Sequence, residues 1–252
     1  MEDIQQQIQA GAEHITFGDP DFFNGVGHAI RLIEDLHKRH PALTYDVTIK
    51  IEHLLNFSDH LETLTRTGCL FITTAVEAVD DEILKILDKG HTREDFVRLV
   101  GLARSAGLTL SPTFIPFLPW TTIGGYLDFL QLLVKLELVD YVAPVQLSIR
   151  LLIPEGSRLL DLPMMKEHLL RFDGAALCYQ WSHPDPTMDL LHDRISRIVE
   201  TGEAENKTRH EIFSEIWHST HEACGKKAPE LFQMEISGAP IHVPRLSEPW
   251  YC

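Results

Sequence analysis

Short apolar runs alternate with amphipathic segments through the first part of the chain, at a spacing of roughly 30 residues. Strands are predicted where β-branched and apolar residues run together, and helices where apolar residues recur every three or four positions. The predicted strands cover residues 14–17, 43–51, 70–74, 108–114 and 139–149. The predicted helices cover about residues 26–37, 58–67, 80–87, 92–105 and 127–138. Repeated strand–helix units predict an α/β fold with a parallel sheet and helices outside it.

The pattern changes after Pro154, where prolines become frequent. A strand-like run at 175–179 and two helices, at about 188–201 and 208–223, are the regular elements predicted there. We therefore expect two domains: an α/β body over residues 1–160, and an α-rich C-terminal extension with an irregular tail over residues 161–252.

The segment from His14 to Gly25 contains the first predicted strand and a polar turn that leads directly into a helix. Turns of this kind carry the binding sites of α/β proteins. Gly18 lets a ligand approach the backbone, and Asp19 and Asp21 offer carboxylates at the edge of the sheet. The alternative is an ordinary turn with a helix cap.

Polar residues also stand at the carboxyl ends of the other predicted strands. They are Glu52, Glu77, Gln146 and Arg150, in addition to Asp19. Because these ends meet at one face of a parallel sheet or barrel, we expect the polar side chains to gather there. Lys50 and Glu52 lie two apart and so share a face of their strand, either as a ligand contact or as an internal ion pair.

Composition excludes several classes of function. The formal net charge of -15 argues against a nucleic-acid or membrane-surface partner, since phosphate binding depends on Lys and Arg. No apolar run is long enough for a membrane span, and the first residues show no export signal, which predicts a cytoplasmic protein. The four cysteines are far apart, so neither a disulfide framework nor a compact metal-binding motif is present.

Several of these segments resemble the radical S-adenosylmethionine (radical SAM) superfamily. Phe17–Phe23 resembles the turn after that family's second strand, which binds the amino group of SAM. Thr73–Glu77 followed by Lys89–Thr92 is similar to its fourth-strand segment and the helix beyond. The ending Ser247–Cys252 resembles the start of a Cys-Cys-Ala-Glu-Pro or Cys-Sec-Ala-Glu-Pro tail found in one radical SAM subfamily.

The resemblance implies a partial TIM-like (β/α) barrel whose first strand is missing. It also implies SAM as a cofactor, a 4Fe-4S cluster in the complete protein, and reductive cleavage of SAM to a 5′-deoxyadenosyl radical. An electron donor and a small-molecule or peptide substrate would be the partners. The cofactor-binding residues that it implies, together with the strand-end pattern, are Gly18, Asp19, Asp21, Lys50, Glu52, Glu77, Gln146 and Arg150.

One departure from the family is serious. The C-x-x-x-C-x-x-C motif that binds the cluster is absent. We therefore expect a fragment, truncated before Met1 and after Cys252, that is inactive alone and poorly soluble.

Two other functions stay open. One is a TIM-barrel lyase or metal-dependent hydrolase that uses Asp19, Glu52 and His53. The other is a non-catalytic truncated barrel. His218, His221 and Cys224 follow one another at three-residue spacing, which suggests part of a metal site, but a solvated helix face is the favoured interpretation.

Overall fold

The computed structural model describes residues 1–231. Within that range the chain forms two compact units, residues 1–113 and residues 114–231. The predicted division into domains at residues 160 and 161 stays a prediction. The tail motif that ends in Cys252 lies outside the described residues.

Helices and strands alternate in the first unit. Its elements are α1 (Glu2–Gln9), β1 (His14–Thr16), α2 (Val26–Arg39), β2 (Thr44–Thr48), α3 (Ile51–Asn56), α4 (Leu61–Arg66), β3 (Cys69–Glu77), α5 (Asp81–Ile86), α6 (Arg93–Ser105) and β4 (Thr109–Phe114). The strands form one parallel sheet in the order β1-β2-β3-β4. An order that follows the sequence is that of a (β/α) barrel rather than of a doubly wound sheet. The predicted α/β class is confirmed.

The two faces of this sheet differ in character. Most of one face consists of buried apolar side chains, among them Ile15, Tyr45, Val47, Ile72 and Val76. Tyr45 extends its hydroxyl to Thr67 Oγ1 at 2.7 Å, next to the end of α4, so this face packs on the helices. The opposite face carries half-buried or exposed polar residues, including Thr16, Thr48 and Thr73. Polar chemistry is therefore available on the face away from the helices.

Among the element boundaries that differ from the prediction, two involve candidate site residues. β2 ends at Thr48 and Ile51 already begins α3, so Lys50 stands at the helix N-cap and Glu52 lies in the helix. The prediction that Lys50 and Glu52 share a face of a strand is therefore wrong. β3 is longer than expected and extends to Glu77. α6 begins with a capping box, since Thr92 and Asp95 bond each other's backbone N–H groups.

The second unit combines helices with a small sheet. Its elements are α7 (Ile123–Lys135), β5 (Ile153–Pro154), α8 (Pro163–Lys166), β6 (Leu169–Asp173), β7 (Cys178–Trp181), α9 (Pro186–Ala204) and α10 (Arg209–Ala223). The sheet has the order β5-β7-β6 with antiparallel pairs. None of the helices in residues 1–231 is long and apolar enough to cross a membrane.

The prediction of a strand at residues 139–149 is wrong. A 3-10 turn, Pro144–Leu147, occupies its centre. Proline has no N–H to donate to a sheet, and the carbonyl of Leu147 accepts the buried hydroxyl of Tyr126 at 2.8 Å instead. Apolar content alone therefore does not distinguish a packed turn from a strand.

Candidate functional site

The loop after β1 presents Gly18 and Asp19 to solvent. Asp19 Oδ1 accepts the backbone N–H of Asp21 at 2.9 Å, which shapes the turn. Phe22 and Phe23 follow in a 3-10 turn, and their buried side chains attach the loop to the core. No atom lies within 4 Å of the position that a Cβ on Gly18 would take, so the backbone there is open to a ligand.

Asp21, by contrast, is turned inward. It is 6% exposed, and its Oδ2 lies 2.8 Å from His53 Nδ1 and 3.7 Å from Lys50 Nζ. Its Oδ1 accepts the backbone N–H of Lys50 at 3.4 Å. The contact between Oδ2 and Nδ1 is close but lacks the alignment of a hydrogen bond. Asp21 therefore ties the loop after β1 to the start of α3, and leaves Asp19 as the carboxylate that a ligand can reach.

Glu77 ends β3 in an unusual backbone conformation. Its φ is +67°, in the left-handed region that non-glycine residues seldom adopt. The N–H of Ala78 donates to the carbonyl of Val76 at 2.9 Å, which makes Glu77 the centre of a γ-turn, a strained arrangement. Residues held in this way are concentrated at functional sites.

A short segment between α5 and α6 holds Glu77 in place. Lys89 Nζ lies 2.7 Å from Glu77 Oε1, and both side chains are largely buried. His91 is 9% exposed and places Nε2 3.2 Å from the carbonyl of Val76, the same oxygen that closes the γ-turn. At Gly90 a Cβ would lie 3.6 Å from Glu52 Oε2. The segment 89–91 thus brings the carboxylates of Glu52 and Glu77 to one edge of the sheet.

A second polar cluster lies on β1 and β2, on the face away from the helices. His14 Nε2 is 2.8 Å from Asp46 Oδ1, and the same oxygen accepts the hydroxyl of Thr16 at 2.7 Å. His14 Nδ1 lies 2.8 Å from Thr44 Oγ1. Sequence reasoning missed this cluster because Asp46 sits inside an apolar run, where only strand pairing reveals its partners.

Gln146 and Arg150 lie in the second unit and do not end a strand, contrary to prediction. Gln146 Oε1 accepts the N–H of Phe114 at 2.9 Å. Arg150 donates to Asp189 Oδ1 at 2.7 Å and to the carbonyl of Trp181 at 2.9 Å, and its guanidinium lies 3.7 Å from the centre of the Trp181 ring. Each side chain has structural contacts. Their assignment to cofactor binding stays a prediction.

The side chains of His218, His221 and Cys224 do not converge. Nδ1 of His218 contacts the carbonyl of Ser214 at 2.7 Å, whereas His221 is buried and uses its own Nδ1 on the carbonyl of Trp217 at 2.8 Å. Among residues 1–231, no three His, Cys, Asp or Glu side chains are placed to hold a metal ion.

The cysteines that the structure describes do not fit an iron–sulfur cluster. Cys69 is buried in the first unit and donates its S–H to the carbonyl of Phe71. Burial, with the nearby Asp46 carboxylate, raises the pKa of the Cys69 thiol strongly, whereas cluster ligands are thiolates. Cys178 and Cys224 lie in the other unit.

Known proteins resemble this chain in sequence and in fold. The model of the radical SAM superfamily matches residues 1–133. The cobalamin-dependent S-adenosylmethionine radical enzyme OxsB, with aqua-cobalamin bound, superposes with a TM-score of 0.65 at 19% identity, covering 80% of this chain and 36% of that one. OxsB with aqua-cobalamin and S-adenosylmethionine bound gives a TM-score of 0.63 at 19% identity, covering 76% and 34%.

A third structure, the radical S-adenosylmethionine methyltransferase TsrM from Kitasatospora setae, covers 54% of this chain and 26% of its own at 19% identity, with a TM-score of only 0.45. The chain spans 36% of the length of OxsB. A search of curated proteins gave no match. The family model covers more than half of the 252 residues, so this chain belongs to the radical SAM superfamily.

Proposed function

We propose that the first unit binds SAM at the carboxyl ends of β1, β2 and β3. The observation that carries the proposal is the strained, ion-paired Glu77 at the end of β3, on the same sheet edge as the exposed Gly18 and Asp19 after β1. β2 lies between these strands, and Glu77 lies six residues beyond Phe71, the residue of β3 that stands in register with Thr16 of β1. The two groups are therefore separated both across the sheet and along the strands. An elongated ligand with a polar group at each end suits that separation.

We infer a binding role for each residue from the charge of its side chain. Asp19 and the open backbone at Gly18 receive the SAM ammonium group, because a carboxylate and carbonyl oxygens accept its N–H bonds. Glu77 accepts hydrogen bonds from the ribose hydroxyls, with Glu52 beside it. Asp21, Lys50 and His53 keep the first loop attached to α3 and so orient Asp19.

In the complete protein we propose the chemistry of the superfamily, in which bound SAM supplies a 5′-deoxyadenosyl radical after reductive cleavage. That reaction needs a 4Fe-4S cluster and an electron donor. The residues described here do not fit the cluster, and the C-x-x-x-C-x-x-C motif is absent from the sequence. This chain alone is therefore expected to bind SAM without cleaving it. The substrate of the complete protein would be a small molecule or a peptide.

Calorimetry with S-adenosylhomocysteine, which lacks the sulfonium methyl group, tests the binding site. We expect Asp19→Asn and Glu77→Gln each to weaken binding about tenfold or more, since a charge-assisted hydrogen bond contributes about 1.5–3 kcal/mol. Asp59→Asn is the matched control, because Asp59 is an exposed acidic residue in a 3-10 turn and is not assigned to SAM. Absence of binding by the wild-type chain, or equal losses in all three variants, would contradict the proposal.

A further inference from the structure

A groove of about 640 Å³ lies along α9 and α10 in the second unit, separate from the residues assigned to SAM. The two helices approach closely at Gly202, where a Cβ would lie 2.5 Å from Ile212 Cγ1. Further along the pair, Arg194 on α9 contacts Glu222 on α10 at 2.6 Å. The volume is within the usual range of small-molecule sites, about 300–1,000 Å³.

A buried hydroxyl in the wall of this groove has no partner. Ser219 is 3% exposed, and its Oγ forms no hydrogen bond with any described residue. A serine inside a helix commonly donates to the carbonyl four residues earlier, yet this one does not. Buried polar groups are nearly always hydrogen-bonded, so an unpaired donor that lines a groove indicates a place for a ligand.

One of the cations that line the groove has no ion pair among the described residues. Glu222 is paired with Arg194, and Glu215 is paired at 2.8 Å with Lys207 Nζ, a group outside the lining that also pairs with Glu205 at 2.9 Å. Lys226 lines the groove and has no ion pair among the described residues. These charges favour a ligand with a single negative charge.

The groove also contains apolar surface. Ile198 on α9 and Ala228 after α10 contribute methyl groups to its lining. A ligand that is only an inorganic anion would leave this surface uncovered, whereas an organic body would remove it from water. We propose that the groove binds a small organic monocarboxylate, with its carboxylate between Lys226 and the Ser219 hydroxyl and its hydrocarbon chain on Ile198 and Ala228.

Titration of the ¹⁵N-labelled full chain with hexanoate tests this site independently of SAM binding. The amide signals of residues 214–228 should shift. Lys226→Gln should raise the Kd about tenfold, and Ser219→Ala severalfold. Lys227→Gln is the matched control, because Lys227 is the next residue, is equally exposed and does not line the groove; its Kd should equal that of the wild type.

Two further probes define the ligand class. Hexanol has the same chain without the charge, and inorganic phosphate has charge without the chain; both should bind at least tenfold more weakly than hexanoate. The proposal is overturned if hexanoate shifts no signal in residues 214–228. Equal affinity for hexanol or phosphate also overturns it, as does an identical loss in the Lys226→Gln and Lys227→Gln variants. Unchanged amide spectra of each variant without ligand show that it is folded.

Discussion

Replacing Glu77 by glycine separates the strain at this residue from its function. A non-glycine residue in the left-handed region costs about 1–2 kcal/mol, which glycine does not experience. Against this relief, glycine in a strand loses about 0.5–1 kcal/mol through the entropy of the unfolded chain. Loss of the ion pair with Lys89, partly screened by solvent, costs about 1 kcal/mol or less.

These contributions nearly cancel, so the free energy of unfolding of Glu77→Gly should lie within about 0.5 kcal/mol of the wild-type value. Glu77→Ala loses the same ion pair but keeps the backbone strain, and should be less stable than the glycine variant by about 1 kcal/mol. Urea unfolding followed by tryptophan fluorescence measures both. With a slope of about 2 kcal/mol/M, the two variants should differ by about 0.5 M in midpoint.

Binding completes the test. If Glu77 is strained in order to contact SAM, both variants should lose affinity for S-adenosylhomocysteine although one keeps its stability. An alanine variant as stable as the glycine variant would refute the assignment of strain. A glycine variant that binds S-adenosylhomocysteine as well as the wild type would refute the proposal that the strained Glu77 serves binding.

The other predictions concern residues in both units. Gly18→Ala should leave the unfolding midpoint unchanged and weaken S-adenosylhomocysteine binding in calorimetry, because the space beside Gly18 is open in the protein alone. Gly68→Ala should destabilise the chain by about 2 kcal/mol or more in urea, since φ is +97° and a Cβ would lie 2.8 Å from a backbone oxygen. Burial raises the pKa of the Cys69 thiol, so mass spectrometry after iodoacetamide treatment at pH 8 should find it unmodified until urea unfolds the chain. Burial, with a neighbouring arginine, lowers the pKa of His192. The folded state then binds fewer protons than the unfolded state below pH of about 6.5, so stability should fall as the pH drops from 7 to 5.5, and His192→Gln should flatten that fall.

Local patterns predicted the elements of the first unit because the apolar residues there recur with the spacing of a strand or of a helix. The capping box at Thr92 and the helix starting at Val26 depend only on neighbouring residues. The prediction of a strand at 139–149 failed because a buried 3-10 turn around Pro144 has the same apolar content as a strand. Its packing is decided by residues such as Tyr126, which lie elsewhere in the chain.

The positions of the candidate site residues in the fold were predicted only in part, for a related reason. Position at a strand end correctly placed Gly18, Asp19 and Glu77 on one edge of the sheet. The sequence could not show that the Asp21 carboxylate contacts His53 and Lys50, since these contacts join residues that are distant in the chain. Nor did strand periodicity predict the left-handed backbone at Glu77, which is held by the segment 89–91 after the next helix.

The most direct test of the account locates S-adenosylhomocysteine on the ¹⁵N-labelled chain by amide chemical shifts. If SAM binds at these strand ends, saturable shifts should appear at residues 18, 19, 21, 77 and 78, at the ends of β1 and β3, and should be lost in Glu77→Gly. Saturation without any shift at those two strand ends would contradict it.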